Sequence, residues 1–144
     1  MTKFANNKSF PAFTLIEVLI ALIIVAFLAT ASLIVFAKVR RQTRDSARVS
    51  DVLQIQAALA AYHRDFGVYP SIITGGMSLV GSPTLYMETV PTYQTPVDAP
   101  CASDSSYLYS SPANYTSYTI QFCISSPVSN LPAGISTATA SGIR

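Results

Sequence analysis

Few residues of the 144-residue chain combine a reactive type with a suggestive spacing. The first is Glu17, the one acid in PAFTLIEVLIALIIVAFLATAS, which runs from Pro11 to Ser32. An ionised side chain in hydrocarbon costs roughly 2.5–3.5 kcal/mol on insertion scales, so Glu17 calls for a partner. The second feature is Cys101 and Cys123; two cysteines in a small exported domain favour a disulfide, with two unpaired buried thiols as the alternative. No C-x-x-C spacing occurs and His63 is the one histidine, which argues against zinc. Asp98 and Asp104 flank Cys101, yet two carboxylates fall short of the six to eight oxygens calcium takes. They are weak calcium candidates, solvated loop acids are the expectation, and no other cofactor is expected. His63 lies near Tyr62 and Asp65 without a G-x-S-x-G motif or a second histidine, so no enzymatic constellation is present.

These residues must be positioned by a few elements. Half of the chain is hydrophobic and 11% is charged, against roughly 25% in soluble globular proteins, but the imbalance is local. Between Phe13 and Ala37 the polar residues are Thr14, Glu17, Thr30 and Ser32. As a helix this stretch is roughly 37 Å long, enough to cross a hydrocarbon core of about 30 Å. A buried soluble helix is the alternative, but the remaining residues are too few and too polar to wrap it on every face. Residues 1–12 form a polar leader with Lys3, Lys8 and no acid, and the small residue Ala12 precedes the apolar run instead of following it as in a secretory signal.

After Ala37 the apolar residues become periodic, with Val49, Val52, Leu53, Leu59, Tyr62 and Phe66 at helical spacings. No glycine or proline interrupts Phe13 to Phe66, and Gly67 and Pro70 supply a stop, so one helix of roughly 80 Å is predicted. Ser71 to Pro100 reads as loop with a short helical turn near Leu85 to Met87. Ser106 to Ser125 reads as a hairpin: Tyr118, Ile120, Phe122 and Ile124 alternate with polar residues, and Pro112-Ala113-Asn114 supplies the turn. Two strands alone are marginal, so this face must cover the amphipathic half of the helix, with room for a third strand. The tail, Ser126 to Arg144, reads as loop. Asn114-Tyr115-Thr116 fits a glycosylation sequon, a pattern that arises readily by chance.

A short basic leader, FTLIEVLIALIIVAF opening a long helix and a cysteine-bearing β domain together resemble the type IV pilin and pseudopilin family. The resemblance is close over Pro11 to about Phe36, extends to QIQAALAAYHRDFGVYP and YMETVP, and elsewhere covers only the layout. It implies cleavage by a prepilin peptidase between Ala12 and Phe13 and methylation of the new Phe13 amine. Glu17 would then meet the Phe13 amine of a neighbouring subunit, so that two stranded charges neutralise each other only in the correct stagger. Ala12 stands where the family usually has glycine. Ala26 and Ile34 stand where many members have a helix-weakening glycine and proline, and Tyr93 and Gln94 replace an aspartate that many relatives carry after the YMETVP-like segment.

The basic run Lys38, Arg40, Arg41, Arg44 and Arg48 suggests headgroup or subunit contacts. DNA contact is the weaker reading, because removal of Lys3 and Lys8 leaves seven Lys and Arg against seven Asp and Glu. The run sits where the positive-inside rule would place the C-terminal part in the cytoplasm. The cysteines and the resemblance place the N-terminus there instead, and Asp45 and Asp51 offset the run through i, i+3 and i, i+4 pairs with Arg48 and Arg41.

The expected architecture is α+β and pilin-like: leader 1–12, apolar assembly helix 13–37, amphipathic half 38–66 and a small loop-rich β domain 67–144. The implied function is structural, a subunit of a type IV pilus-like surface filament that first sits in the inner membrane. A pseudopilin of a type II secretion or DNA-uptake machine and a membrane-anchored exported domain that never polymerises are the alternatives. The implied partners are further copies of the chain, the peptidase and methyltransferase, membrane lipid, and an assembly platform with an ATPase, since nothing in the chain binds nucleotide.

Overall fold

Thr14 starts and Gly67 stops the longest element of the fold. In the computed structural model, which describes residues 13–101 and 106–144 and only the backbone of 33 and 34, helix α1 spans Leu15–Phe66. Ala12 and Asp104, two of the sequence-derived site residues, lie outside the described residues. The helix starts two residues later than the sequence suggests, because Thr14 serves as its cap. It ends as predicted: Gly67 has φ of 71°, and its N–H donates to the His63 carbonyl at 2.7 Å. A glycine suits this left-handed cap, where a Cβ would be strained.

The chain divides into two units, Met1–Ala37 and Lys38–Arg144. Within the first, the described side chains of the helix are exposed. Thr30 and Ser32 return their hydroxyls to the carbonyls of Phe27 and Leu28, at 2.9 and 2.8 Å. Their polarity is thereby satisfied inside the helix, as an apolar solvent requires.

The second unit packs Lys38–Phe66 against six strands. β1 (Leu79–Gly81) and β2 (Thr84–Met87) form an antiparallel pair, so the residues read as a helical turn are a strand. The pairing needs a bare backbone at Gly81, where a Cβ would run into the Phe66 ring. β3 (Leu108–Ser110), β4 (Thr119–Ile124), β5 (Gly134–Thr139) and β6 (Gly142–Ile143) form a four-stranded antiparallel sheet in chain order. The predicted hairpin is β3–β4, in register Leu108↔Gln121 to Ser110↔Thr119, with a turn closed by the Tyr115 N–H on the Pro112 carbonyl. The tail, expected to be loop, supplies β5 and β6. Its small residues Gly134, Ser136 and Ala138 hide its β pattern from a hydropathy reading, yet Ser136 and Ala138 point inward and are buried.

Val52, Ile55, Ala58 and Leu59 from the helix meet Ile120, Phe122 and Ile124 from β4, with Tyr69, Leu79, Val90, Tyr118 and Ala138 in the same buried core. Val52, Ile55 and Leu59 share one face at i, i+3 and i+7. Leu53, expected in that stripe, lies one residue off it and is 53% exposed.

Candidate functional site

The described N-terminus is built around Thr14. Its carbonyl accepts from the N–H groups of Glu17 and Val18 at 3.1 and 3.3 Å, and its Oγ1 accepts from Glu17 N–H at 3.3 Å. T-x-x-E is the spacing of a capping box, and that spacing could have revealed Thr14 as the helix cap ahead of Glu17. Glu17 therefore sits in the first turn, where the free N–H groups favour a negative charge. Its side chain is exposed, and among the described residues no hydrogen-bond or ion-pair partner meets its carboxylate. Around it lie Phe13, Leu15, Val18, Leu19 and Leu22, all exposed. The arrangement is an acid presented in an apolar surface, one helical turn from Phe13.

The basic run has a different fate at each position. Arg48 and Asp45 are fully buried and paired at 2.6 Å. The Asp45 carboxylate also accepts from the N–H groups of Ser125 and Ser126, at 3.0 and 2.8 Å, and from the Ser126 hydroxyl at 2.6 Å. The Arg48 guanidinium donates to the carbonyls of Gln94 and Pro96 and lies over the Tyr93 ring, 4.4 Å from its centroid. The Tyr93 hydroxyl in turn donates to the Cys123 carbonyl at 2.6 Å. Arg48 is thus removed from the headgroup or subunit contacts suggested by sequence, because the domain closes over it.

Arg44 is bonded to Asp98, and Arg41 reaches the same carboxylate at 3.4 Å. Asp98 is therefore not the solvated loop acid of the sequence reading. Its oxygens face guanidinium groups, and the Arg44 hydrogen bond holds its carboxyl below the usual carboxylate range. Among the described residues no group of three or more His, Cys, Asp or Glu converges. Arg41 pairs with Asp98 instead of an acid on its own helix, and Asp51 accepts from the Tyr107 hydroxyl at 2.7 Å. Burial, and then the Asp51 bond, push the Tyr107 phenol up. Burial pushes Tyr109 up to about 12 while its hydroxyl donates to the Pro70 carbonyl. Lys38 and Arg40 remain exposed.

Cys101 and Cys123 form the expected disulfide, with a Cα separation of 5.6 Å. It ties the loop carrying Asp98 to β4. His63 is half-buried and stacked on Tyr69 with ring centroids 4.4 Å apart, which accounts for it structurally.

Residues 8–33 match the family model described as the prokaryotic N-terminal methylation motif. No curated protein and no solved structure matches the chain. The motif covers the segment that presents Phe13 and Glu17, and it heads an α+β fold of the pilin-like kind, one long helix with small antiparallel sheets. Methylation motif, apolar helix and disulfide-bearing β domain together support a prepilin of the type IV pilin-like or pseudopilin-like kind.

Proposed function

We propose that the chain is a structural subunit of a type IV pilus-like surface filament. The prepilin motif implies processing by a prepilin peptidase and assembly into a pilus-like polymer. In the finer reading, cleavage between Ala12 and Phe13 frees the Phe13 amine, which is methylated, and the mature subunit is stored with its apolar helix in the inner membrane. An assembly platform and its ATPase then extract it. Burial of the exposed apolar side chains against other copies supplies the cohesion, at about 25 cal/mol per Å² of apolar surface.

The observation that carries this reading is the Glu17 carboxylate, without a partner among the described residues and set within an exposed apolar surface, one turn from the residue that would carry the new amine. A filament provides each with the other. Two measurements test it. Mass spectrometry of the mature chain is expected to show an N-methylated N-terminus at Phe13, and a chain still starting at Met1 refutes the processing step. Electron microscopy of sheared surface fractions is expected to show filaments containing this subunit. Filaments absent there but trapped by crosslinking in the cell envelope would assign the chain to a secretion or DNA-uptake pseudopilus instead.

A further inference from the structure

The folded domain divides the basic run into two sets. Arg44 and Arg48 are turned inward and held by Asp98 and Asp45. Lys38, Arg40 and Arg41 stay exposed. Arg41 touches Asp98 through one 3.4 Å contact and keeps 57% of its side chain in solvent. Among the described residues no carboxylate lies within ion-pair distance of Lys38 or Arg40. The outward set follows immediately on the apolar run, whose last residue is Ala37.

At about 100° per residue, Lys38, Arg40 and Arg41 point in directions roughly 0°, 200° and 300° around the helix, so the three charges share an arc of roughly 160°. Centred on the bilayer, the apolar run of roughly 37 Å outreaches the hydrocarbon core of about 30 Å and ends inside the headgroup layer of a bilayer about 40–45 Å thick, which places the residues after Ala37 at the headgroups. Val39 between them is exposed and apolar. Lysine and arginine lay their carbon stems along such surface and raise their charge to the phosphate level.

We propose that Lys38, Arg40 and Arg41 form a collar that binds the phosphates of anionic phospholipid where the helix leaves the bilayer, fixing the depth of the stored subunit. The collar rests on the reading of Phe13–Ala37 as a membrane span. Each cation near an anionic surface strengthens attraction on the order of fivefold at low salt, and the effect decays over a Debye length.

The test uses the full chain reconstituted into phosphatidylcholine vesicles containing a minority of spin-labelled phosphatidylglycerol, with the protein-contacting lipid fraction read by electron paramagnetic resonance. Wild type is expected to enrich the anionic lipid, less so as salt rises. Lys38→Gln/Arg40→Gln, which leaves the Asp98 contacts in place, is expected to lower the enrichment substantially, and adding Arg41→Gln to lower it further. Lys3→Gln/Lys8→Gln is expected to remove only the leader's share, and the losses caused by the collar substitutions are expected to persist in that background. Absence of enrichment in wild type, or equal enrichment in the triple variant, overturns the collar. So does a triple variant that keeps lipid enrichment and loses self-association, which would assign these cations to an exposed acid such as Glu88 of a second copy. Carbonate extraction separates the two levels: a chain washed off the vesicles refutes the span and the collar together, whereas a retained chain without enrichment refutes the collar alone.

Discussion

Glu17 and Asp45 are two carboxylates on one helix, and their surroundings are opposite. Asp45 is sealed in the second unit with four donors on its oxygens: Arg48, the N–H groups of Ser125 and Ser126, and the Ser126 hydroxyl. Glu17 is exposed among apolar side chains, and its carboxylate meets no partner among the described residues. Charge that is costly to strand is completed inside the chain at one position and meets no partner among the described residues at the other. Under the proposed function, the difference separates a residue that specifies the fold from one that would specify an assembly.

The comparison breaks most visibly at Asp45. Asp45→Ala strands the Arg48 guanidinium in the core, and removing one partner of a buried pair costs about 3–5 kcal/mol. Urea unfolding of the full chain in detergent, followed by the near-ultraviolet dichroism of its tyrosines, is expected to show that loss. Asp45→Ala/Arg48→Met should recover part of it, because the stranded charge is gone. An unchanged midpoint in the single variant would mean that the Asp45 bonds do not hold the domain.

Next in size is the bridge that carries the Asp98 loop. Cys101→Ser/Cys123→Ser reopens a loop with a sequence separation of 22. The chain-entropy estimate for a loop of this size is a loss of about 3 kcal/mol. The same urea titration under oxidising conditions measures it, and a loss below about 1 kcal/mol would show that the loop is held chiefly by its arginines.

A smaller effect appears in acid. The Arg44 bond lowers the Asp98 carboxyl below its unfolded value of about 3.9, so this stabilisation is present above that pH and fades as pH falls through the folded value. Asp98→Asn is expected to flatten the part of the stability profile below about pH 4 and to leave its shape near neutrality unaltered. A wild-type acid limb in that variant would move the linkage to another carboxylate. Asp98 keeps 20% of its side chain in solvent, which limits the size of the effect.

The contrast also marks what could be read in the sequence. The helix was legible because an uninterrupted stretch without glycine or proline and a Gly67 stop are local signals. Strands β3 and β4 were legible through the alternation at Tyr118, Ile120, Phe122 and Ile124. Strands β5 and β6 were not, since Gly134, Ser136 and Ala138 carry little hydropathy and become a strand only by pairing with β4. The placement of Glu17 in the first turn was legible because FTLIE puts it within one turn of Phe13 at the start of the apolar run. The inward set of arginines was not: Arg48 finds Gln94, Pro96 and Tyr93 far along the chain, and Arg44 finds Asp98. A run of five cations in sequence is therefore two sets in space, and spacing on a helix does not say which cations a distant loop will neutralise.

The smallest expected change in stability tests the other side of the comparison. Glu17→Gln removes a charge from the first turn, where its interaction with the helix dipole is worth about 0.3–1 kcal/mol, and removes no bond that holds the second unit. The urea midpoint should therefore move by less than about 1 kcal/mol, because the transition reports on a core that does not include residue 17. In the same cells filament yield should collapse, since the Phe13 amine of the next subunit would be buried without its anion. Glu17→Asp, which keeps the charge on a shorter arm, should restore filaments partly. Wild-type filament yield in the glutamine variant would mean that the acid is tolerated and not required, and the assembly reading of Glu17 would fail. A large loss of stability would make Glu17 a fold residue like Asp45, erasing the distinction between the two carboxylates.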